Sequence, residues 1–213
     1  MLEVNDLSKS YGSNAVFMLP KIKFGAGVTW IKGHNGSGKS TLLKILAGLI
    51  DFKGIVVFDG KVNLRKHPIA YRKLVNFAES EPLFPHFFTG WDMINLFLKA
   101  KDGSIQALSP LLTDFNMDGY LDDEIGSYSA GMLKKLSLAM AFAGKPRFIL
   151  LDEPFITLDE DAILKLAEWI TKTMATGTAF VITSHQNIPP VIPINSTLIL
   201  QNGEIKTETA TCL

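Results

Sequence analysis

Apolar and polar residues follow two different periods along this chain. Residues 2–7 alternate between the two classes, as a half-buried strand does, and the first 32 residues as a whole read as short β segments. Residues 27–31 form one of these strands and run into a glycine-rich turn. Between Lys39 and Leu49 the period lengthens, and Leu42, Leu43, Ile45, Leu46 and Leu49 fall on one helical face. Residues 54–60 read as a strand ending in Asp59-Gly60, a hairpin signal, and residues 74–78 as a brief apolar strand. From 80 to 145 strand-like runs vanish, and residues 91–101, 104–115 and 129–143 read as helices. The unbroken apolar run 148–151 has the pattern of a strand covered on both faces. An amphipathic helix over 159–174 and a second buried strand over 179–182 follow it. Residues 197–206 read as a hairpin turning at Asn202-Gly203. Strands alternating with helices predict an α/β fold with parallel central strands, in which the helical stretch 80–145 is an insertion.

Composition narrows the class. With 213 residues, 47% hydrophobic and 20% charged, the chain has globular proportions and is neither disordered nor fibrous. At this length a folded chain buries roughly 70% of its unfolded surface, so a sizeable core is expected. The 21 Lys and Arg balance the 21 Asp and Glu, so no overall field collects nucleic acid or anionic lipid, and no nucleic-acid partner is expected. The single Cys212 has no partner for an internal disulfide, which fits a reducing compartment. The greasiest stretch, residues 138–144, is far short of the ~20 residues a membrane span needs. Glu3, Asp6 and Lys9 interrupt any secretory-leader pattern, so a cytoplasmic location is expected, with docking on a membrane protein left open.

Two motifs carry chemistry. Gly33-His34-Asn35-Gly36-Ser37-Gly38-Lys39-Ser40 fits G-x-x-x-x-G-K-[ST] between a predicted strand and a predicted helix. Glycines there let successive backbone N–H groups turn around phosphate oxygens, and the helix starting near Lys39 aims its positive end at the same place. Lys39 can reach the β- and γ-phosphates of a nucleotide and the Ser40 hydroxyl can ligate Mg²⁺, with Thr41 next along the same turn. The second motif is the buried strand that ends in Asp152-Glu153. Ligands of open α/β sheets lie beyond such carboxyl ends. Asp152 is a candidate Mg²⁺ ligand, and Glu153 a candidate base for the water that attacks the γ-phosphate.

With these motifs in place, Tyr128-Ser129-Ala130-Gly131-Met132 resembles the signature of ATP-binding cassette (ABC) proteins, usually Leu-Ser-Gly-Gly-Gln. Three further segments resemble that family's elements in the right order. Ile156 to Asp159 resembles its D-loop, His185 its switch histidine, and Tyr11 the aromatic residue that stacks on adenine. The resemblance spans nearly the whole chain. It implies a P-loop NTPase fold of ABC type, α/β, with a mixed central sheet and an N-terminal antiparallel β subdomain. It also implies one domain over residues 1–213, with a catalytic core of 1–79 and 146–213 and a helical subdomain of 80–145. By the same resemblance Glu153, His185 and Glu79 are catalytic, and Ser40, Asp152 and Glu79 hold Mg²⁺. The P-loop from Gly33 to Thr41 and Tyr11 bind ATP in one protomer, while Ser129, Ala130, Gly131 and Asp159 contact the ATP of the other.

The partner implied is a second copy, or a paralogous cassette, in a head-to-tail dimer that closes on two ATP molecules. A separate integral membrane subunit then moves the transported substance, which places the chain at the cytoplasmic face of the membrane. The signature form looks more like exporter-type cassettes. The apolar cluster from Leu83 to Phe88 is either the dock for that subunit or an anchor of the helical insertion to the core. Departures from the family pattern are also visible. Glu79 stands where a Gln is usual, with Glu81 as the other candidate for that place, and Ala130, Met132 and Tyr128 replace signature residues. An added carboxylate at 79 would raise the negative charge beside Asp152, Glu153 and triphosphate. The rival readings are a soluble ABC ATPase on a cytosolic assembly scaffold and a P-loop kinase of a small molecule. The kinase would not need Ser129 to Gly131 or His185.

Overall fold

The computed structural model describes residues 1–208, so Cys212 lies outside the described residues. In chain order the elements are β1 (Leu2–Tyr11), β2 (Asn14–Phe24), β3 (Val28–Lys32), α1 (Lys39–Leu46), β4 (Lys53–Phe58), β5 (Val62–Asn63), α2 (Pro68–Leu74), β6 (Val75–Ala78), α3 (Gly90–Ala100), α4 (Ile105–Asp114), α5 (Ala130–Ala141), β7 (Phe148–Asp152), α6 (Glu160–Ala175), β8 (Ala179–Thr183), β9 (Ile194–Gln201) and β10 (Glu204–Glu208). A four-stranded antiparallel sheet has the order β2-β1-β4-β5. A six-stranded sheet has the order β10-β9-β3-β8-β7-β6, parallel throughout except for the β9–β10 hairpin. The mixed sheet and the antiparallel β layer expected from the resemblance are both present.

Period-two alternation divides the core. On β7, Phe148 and Leu150 face the layer that holds α1 and the antiparallel sheet, while Ile149 and Leu151 face the helices that pack on the other side. On β8, Val181 and Phe180 divide in the same way. Both strands are buried at every position, which is why they read as unbroken apolar runs. Leu136 and Leu138 of α5 and Leu166, Ala167 and Ile170 of α6 fill the second layer. Helices α3, α4 and α5 all fall between β6 and β7, in the stretch where strand patterning stops.

Two local expectations need correction. The helix predicted to Leu49 ends at Leu46, because Gly48 adopts φ 73°, a left-handed conformation that ends the helix, and Leu49 is then exposed. Leu74, predicted to open a strand, is instead the last residue of α2, which begins at Pro68. The fully buried Tyr71 fixes this helix, and its hydroxyl donates to the Leu46 carbonyl at 2.7 Å at the free end of α1.

Candidate functional site

Parallel strands point the same way, so the carboxyl ends of β3, β6, β7 and β8 share one edge of the sheet, and the chemistry collects there. β3 leads into the loop from Gly33 to Gly38, which caps α1. Gly38 holds φ 100°, and a Cβ there would lie 2.8 Å from a Val16 methyl carbon and 3.1 Å from the Phe17 ring, so only glycine fits. Lys39 is buried at 6% exposure. Its Nζ donates to the Gly33 carbonyl at 2.7 Å and the His34 carbonyl at 3.2 Å, and lies 3.9 Å from Glu153 Oε1. Ser40 and Thr41 follow in the first turn of α1. His34, Asn35 and Gly36 are exposed, and Ser37 is buried.

At the end of β7, Asp152 is fully buried. Its Oδ1 accepts from the Thr183 hydroxyl at 2.6 Å, and its Oδ2 has no donor. Glu153 turns into a left-handed conformation at φ 44°. Its backbone N–H donates to the Thr183 carbonyl at 3.1 Å. Its carboxylate accepts from the His185 backbone N–H at 3.1 Å, and Glu153 Oε2 lies 3.0 Å from His185 Nδ1. The P-loop lysine, both carboxylates and the histidine are thus brought together. Glu79 follows β6 and forms an ion pair with Lys44 of α1, which compensates the extra charge expected at this position.

Other predicted residues stand apart from this cluster. Ser129 caps α5, its Oγ accepting from the Met132 N–H at 3.3 Å, while Met132 Sδ accepts from the Ser129 N–H at 3.4 Å. A Cβ on Gly131 would lie 3.1 Å from the Thr157 carbonyl oxygen. Among the described residues no hydrogen bond joins Ser129, Ala130 or Gly131 to the P-loop. Asp159 caps α6 by accepting from the Ala162 N–H at 2.8 Å and pairs with Lys135 at 3.1 Å. The Ala162 N–H, and after it Lys135, holds the Asp159 carboxyl below its usual range. Tyr11 is 55% exposed, with the Lys9 ammonium 4.7 Å from its ring centroid. An open cleft of about 810 Å³ is lined by Lys9, Val16, Phe17, His34, Gly36 and Ser37 among others, and Tyr11 is not part of its lining.

The apolar cluster from Leu83 to Phe88 divides. Phe84 and Phe88 pack against the core, while Leu83 is 91% and Phe87 72% exposed. The sequence reading missed three features. Thr183, at the end of β8, holds Asp152. Lys134 of α5 is fully buried and donates to the carbonyls of Glu79, Ser80 and Asp152 at 3.1, 3.2 and 3.1 Å. Burial pushes its pKa down to about 8, opposed by the carboxylates of Asp152, Glu153, Glu79 and Glu81. Its helical position, in line with Leu138 and Ala141 on a buried face, was the available signal. The third is a groove of about 370 Å³ lined by Leu49, Ile69, Phe77 and Phe97, with Arg72, Lys73 and Lys101 in its wall. It depends on α2, which the pattern did not reveal.

A buried carboxylate oxygen without a donor is costly unless a cation supplies the missing partner, so the Asp152 pocket fits a hard divalent ion. Among the described residues no three His, Cys, Asp or Glu side chains converge as a metal cage. A Mg²⁺ ion here would therefore complete its shell from a hydroxyl, phosphate oxygens and water.

Comparison with known proteins shows the family and the fold. The family model for the ABC transporter matches residues 22–156. The cytochrome c biogenesis ATP-binding export protein CcmA of Legionella pneumophila is 30% identical over 193 residues, covering 89% of this chain and 94% of CcmA. A solved ATP-binding subunit of an ABC transporter superposes with a TM-score of 0.89 at 28% identity, covering 99% of this chain and 90% of that one. The dimeric post-hydrolysis structure of the ATP-binding cassette MJ0796 with ADP and Pi superposes at 0.84 and 20% identity over the whole of both chains.

Proposed function

The chain belongs to the ABC transporter family as an ATP-binding, ATP-hydrolysing subunit, and from that membership we propose that it drives an exporter by closing as a head-to-tail dimer on two ATP molecules. The observation that carries the proposal is the meeting of Lys39, Glu153 and His185 at the ends of β3, β7 and β8. Backbone N–H groups of residues 33–41 grip the phosphates, and Lys39 exchanges its carbonyls at Gly33 and His34 for β- and γ-phosphate oxygens. Glu153 orients the attacking water and accepts its proton, and His185 holds the Glu153 carboxylate and faces the γ-phosphate. Mg²⁺, held by Ser40 and Asp152 with Glu79 nearby, would neutralise charge on the phosphates.

Ser129, Ala130, Gly131 and Asp159 lie away from this cluster, which supports their working on the nucleotide of a second protomer. The dimeric state of the MJ0796 cassette supports the same arrangement. The partner is a second copy or a paralogous cassette. ATP shifts the population toward the closed form because only that form binds its γ-phosphate from both sides. Tyr11, exposed on β1 beside Lys9, stacks on adenine. A membrane subunit docks on the exposed Leu83 and Phe87, which puts the protein at the cytoplasmic face, and the export role named for CcmA supports the direction of transport.

The test is Glu153→Gln with ATP and Mg²⁺ on a sizing column. A shift to dimer with hydrolysis abolished is expected, and an ATP-saturated monomer would refute the mechanism.

A further inference from the structure

We propose that Lys134 is a positioning residue for hydrolysis, whose three N–H donors hold the ends of β6 and β7 at a fixed spacing and tie helix α5 to both. The side chain is 0% exposed, and its ammonium faces three backbone carbonyls and no carboxylate at hydrogen-bonding distance. A lysine carries three donors, so the set is saturated. Two acceptors, Glu79 and Ser80, lie where the chain leaves the sheet toward α3, and the third belongs to Asp152 itself.

A buried ammonium is costly, and replacing it by a well-packed apolar side chain of similar volume is often neutral for stability. Core filling alone therefore does not account for a lysine here. Each bond, however, fixes a backbone atom adjacent to a group of the site. The Asp152 carbonyl fixes the turn into Glu153, and the Glu79 carbonyl fixes the residue paired with Lys44. The same helix is capped by Ser129, five residues before Lys134, so Lys134 ties the helix that the cap opens to these two strand ends. The lysine acts through the backbone of Glu79, Ser80 and Asp152.

This inference rests on the proposed roles of Asp152, Glu153 and Glu79, which are tested separately. If Glu153→Gln kept hydrolysing ATP, those roles would fail, whereas the outcomes below bear on Lys134 alone. Lys134→Met keeps the shape without donors, and Lys134→Gln keeps amide donors without charge. Misplacing a catalytic group by about 1 Å costs up to about 100-fold, so Lys134→Met should lower kcat by about 10-fold or more while KM for ATP changes by less than about 3-fold. Lys134→Gln should return kcat to within about 3-fold of wild type, because the donors and not the charge do the positioning. Wild-type kcat in Lys134→Met, a Lys134→Gln enzyme as slow as Lys134→Met, or a loss confined to KM would each overturn the proposal. If thermal melts show that neither variant folds, the wild-type ammonium decides by NMR. Slow proton exchange at Nζ and a shift on adding Mg·ADP are expected, and fast exchange or an indifferent resonance would overturn it.

Discussion

Replacing Thr183 by Val removes one hydroxyl from the centre of the site and leaves side-chain shape nearly unchanged. That hydroxyl donates to Asp152 Oδ1 at 2.6 Å and accepts from the Glu153 N–H at 3.2 Å. Glu153 N–H retains the Thr183 carbonyl at 3.1 Å, so it loses little. Asp152 is affected more severely, because its other oxygen already lacks a donor and no part of it reaches water. A hydrogen bond to a charged group is worth about 1.5–3 kcal/mol, with the upper part expected when the acceptor stays buried and unpaired. The new methyl group offsets about 0.8 kcal/mol. A net loss of about 2 kcal/mol follows, and at about 2–4 °C per kcal/mol for a chain of this size the melting temperature should fall by about 4–8 °C.

Thr183→Ser makes the contrast, since it keeps the hydroxyl and deletes the buried methyl at a cost of about 1 kcal/mol. The apolar replacement should therefore melt below the polar one at a site buried on all sides, the reverse of what burial of apolar area alone would give. Calorimetric melts of the three nucleotide-free proteins decide the matter. If Thr183→Val melts with the wild type, or above Thr183→Ser, then the hydroxyl does not hold Asp152 and the account of the pocket is wrong.

Thr157, a β-branched residue at φ 64°, sits in a conformation that costs about 1–3 kcal/mol. Thr157→Gly, less about 0.5–1 kcal/mol for glycine's extra freedom when unfolded, should raise the melting temperature by a few degrees, and a lower value would show the strain is absent. Asp159→Ala should cost about 1 kcal/mol at neutral pH through the lost α6 cap. Because the folded carboxyl titrates below the unfolded value near 3.9, its stabilisation is full above that value and is lost as pH falls through the folded one. Melting curves of the two proteins should therefore converge in strong acid, and a constant gap would refute the electrostatic part. Leu83→Ser with Phe87→Ser should release the protein from membranes carrying its partner while its basal ATPase stays at the wild-type rate. Retention on those membranes would refute the docking surface.

What the sequence made legible and what it hid follow from where each constraint resides. The P-loop was readable because its demands are local. A loop that turns its N–H groups inward needs the positive φ of Gly36 and Gly38, and the lysine follows at once. Asp152-Glu153 was readable because an unbroken apolar run that stops at two carboxylates marks the end of a strand buried on both faces. Helix α2 was not, because its seven residues are held by tertiary contacts, among them Tyr71 to the end of α1, Arg72 to the Gly48 carbonyl and Lys73 to Asp102, and their own pattern carries no apolar stripe. The groove beside it was hidden for the same reason. The cluster from Leu83 to Phe88 shows the limit of composition. Its greasiness announced a special role, but neighbours distant in sequence determine that Phe84 and Phe88 turn inward while Leu83 and Phe87 face out. Lys134 and Thr183 are the strongest instances. Lys134 belongs to no motif and Thr183 only opens the segment that ends in His185, and both work through atoms that other residues supply: a carboxylate oxygen for Thr183 and three main-chain carbonyls for Lys134. A motif records the groups that meet the nucleotide. The groups that hold those groups still are set by the packing of strand ends against a helix, and they become visible only once β6, β7, β8 and α5 are side by side.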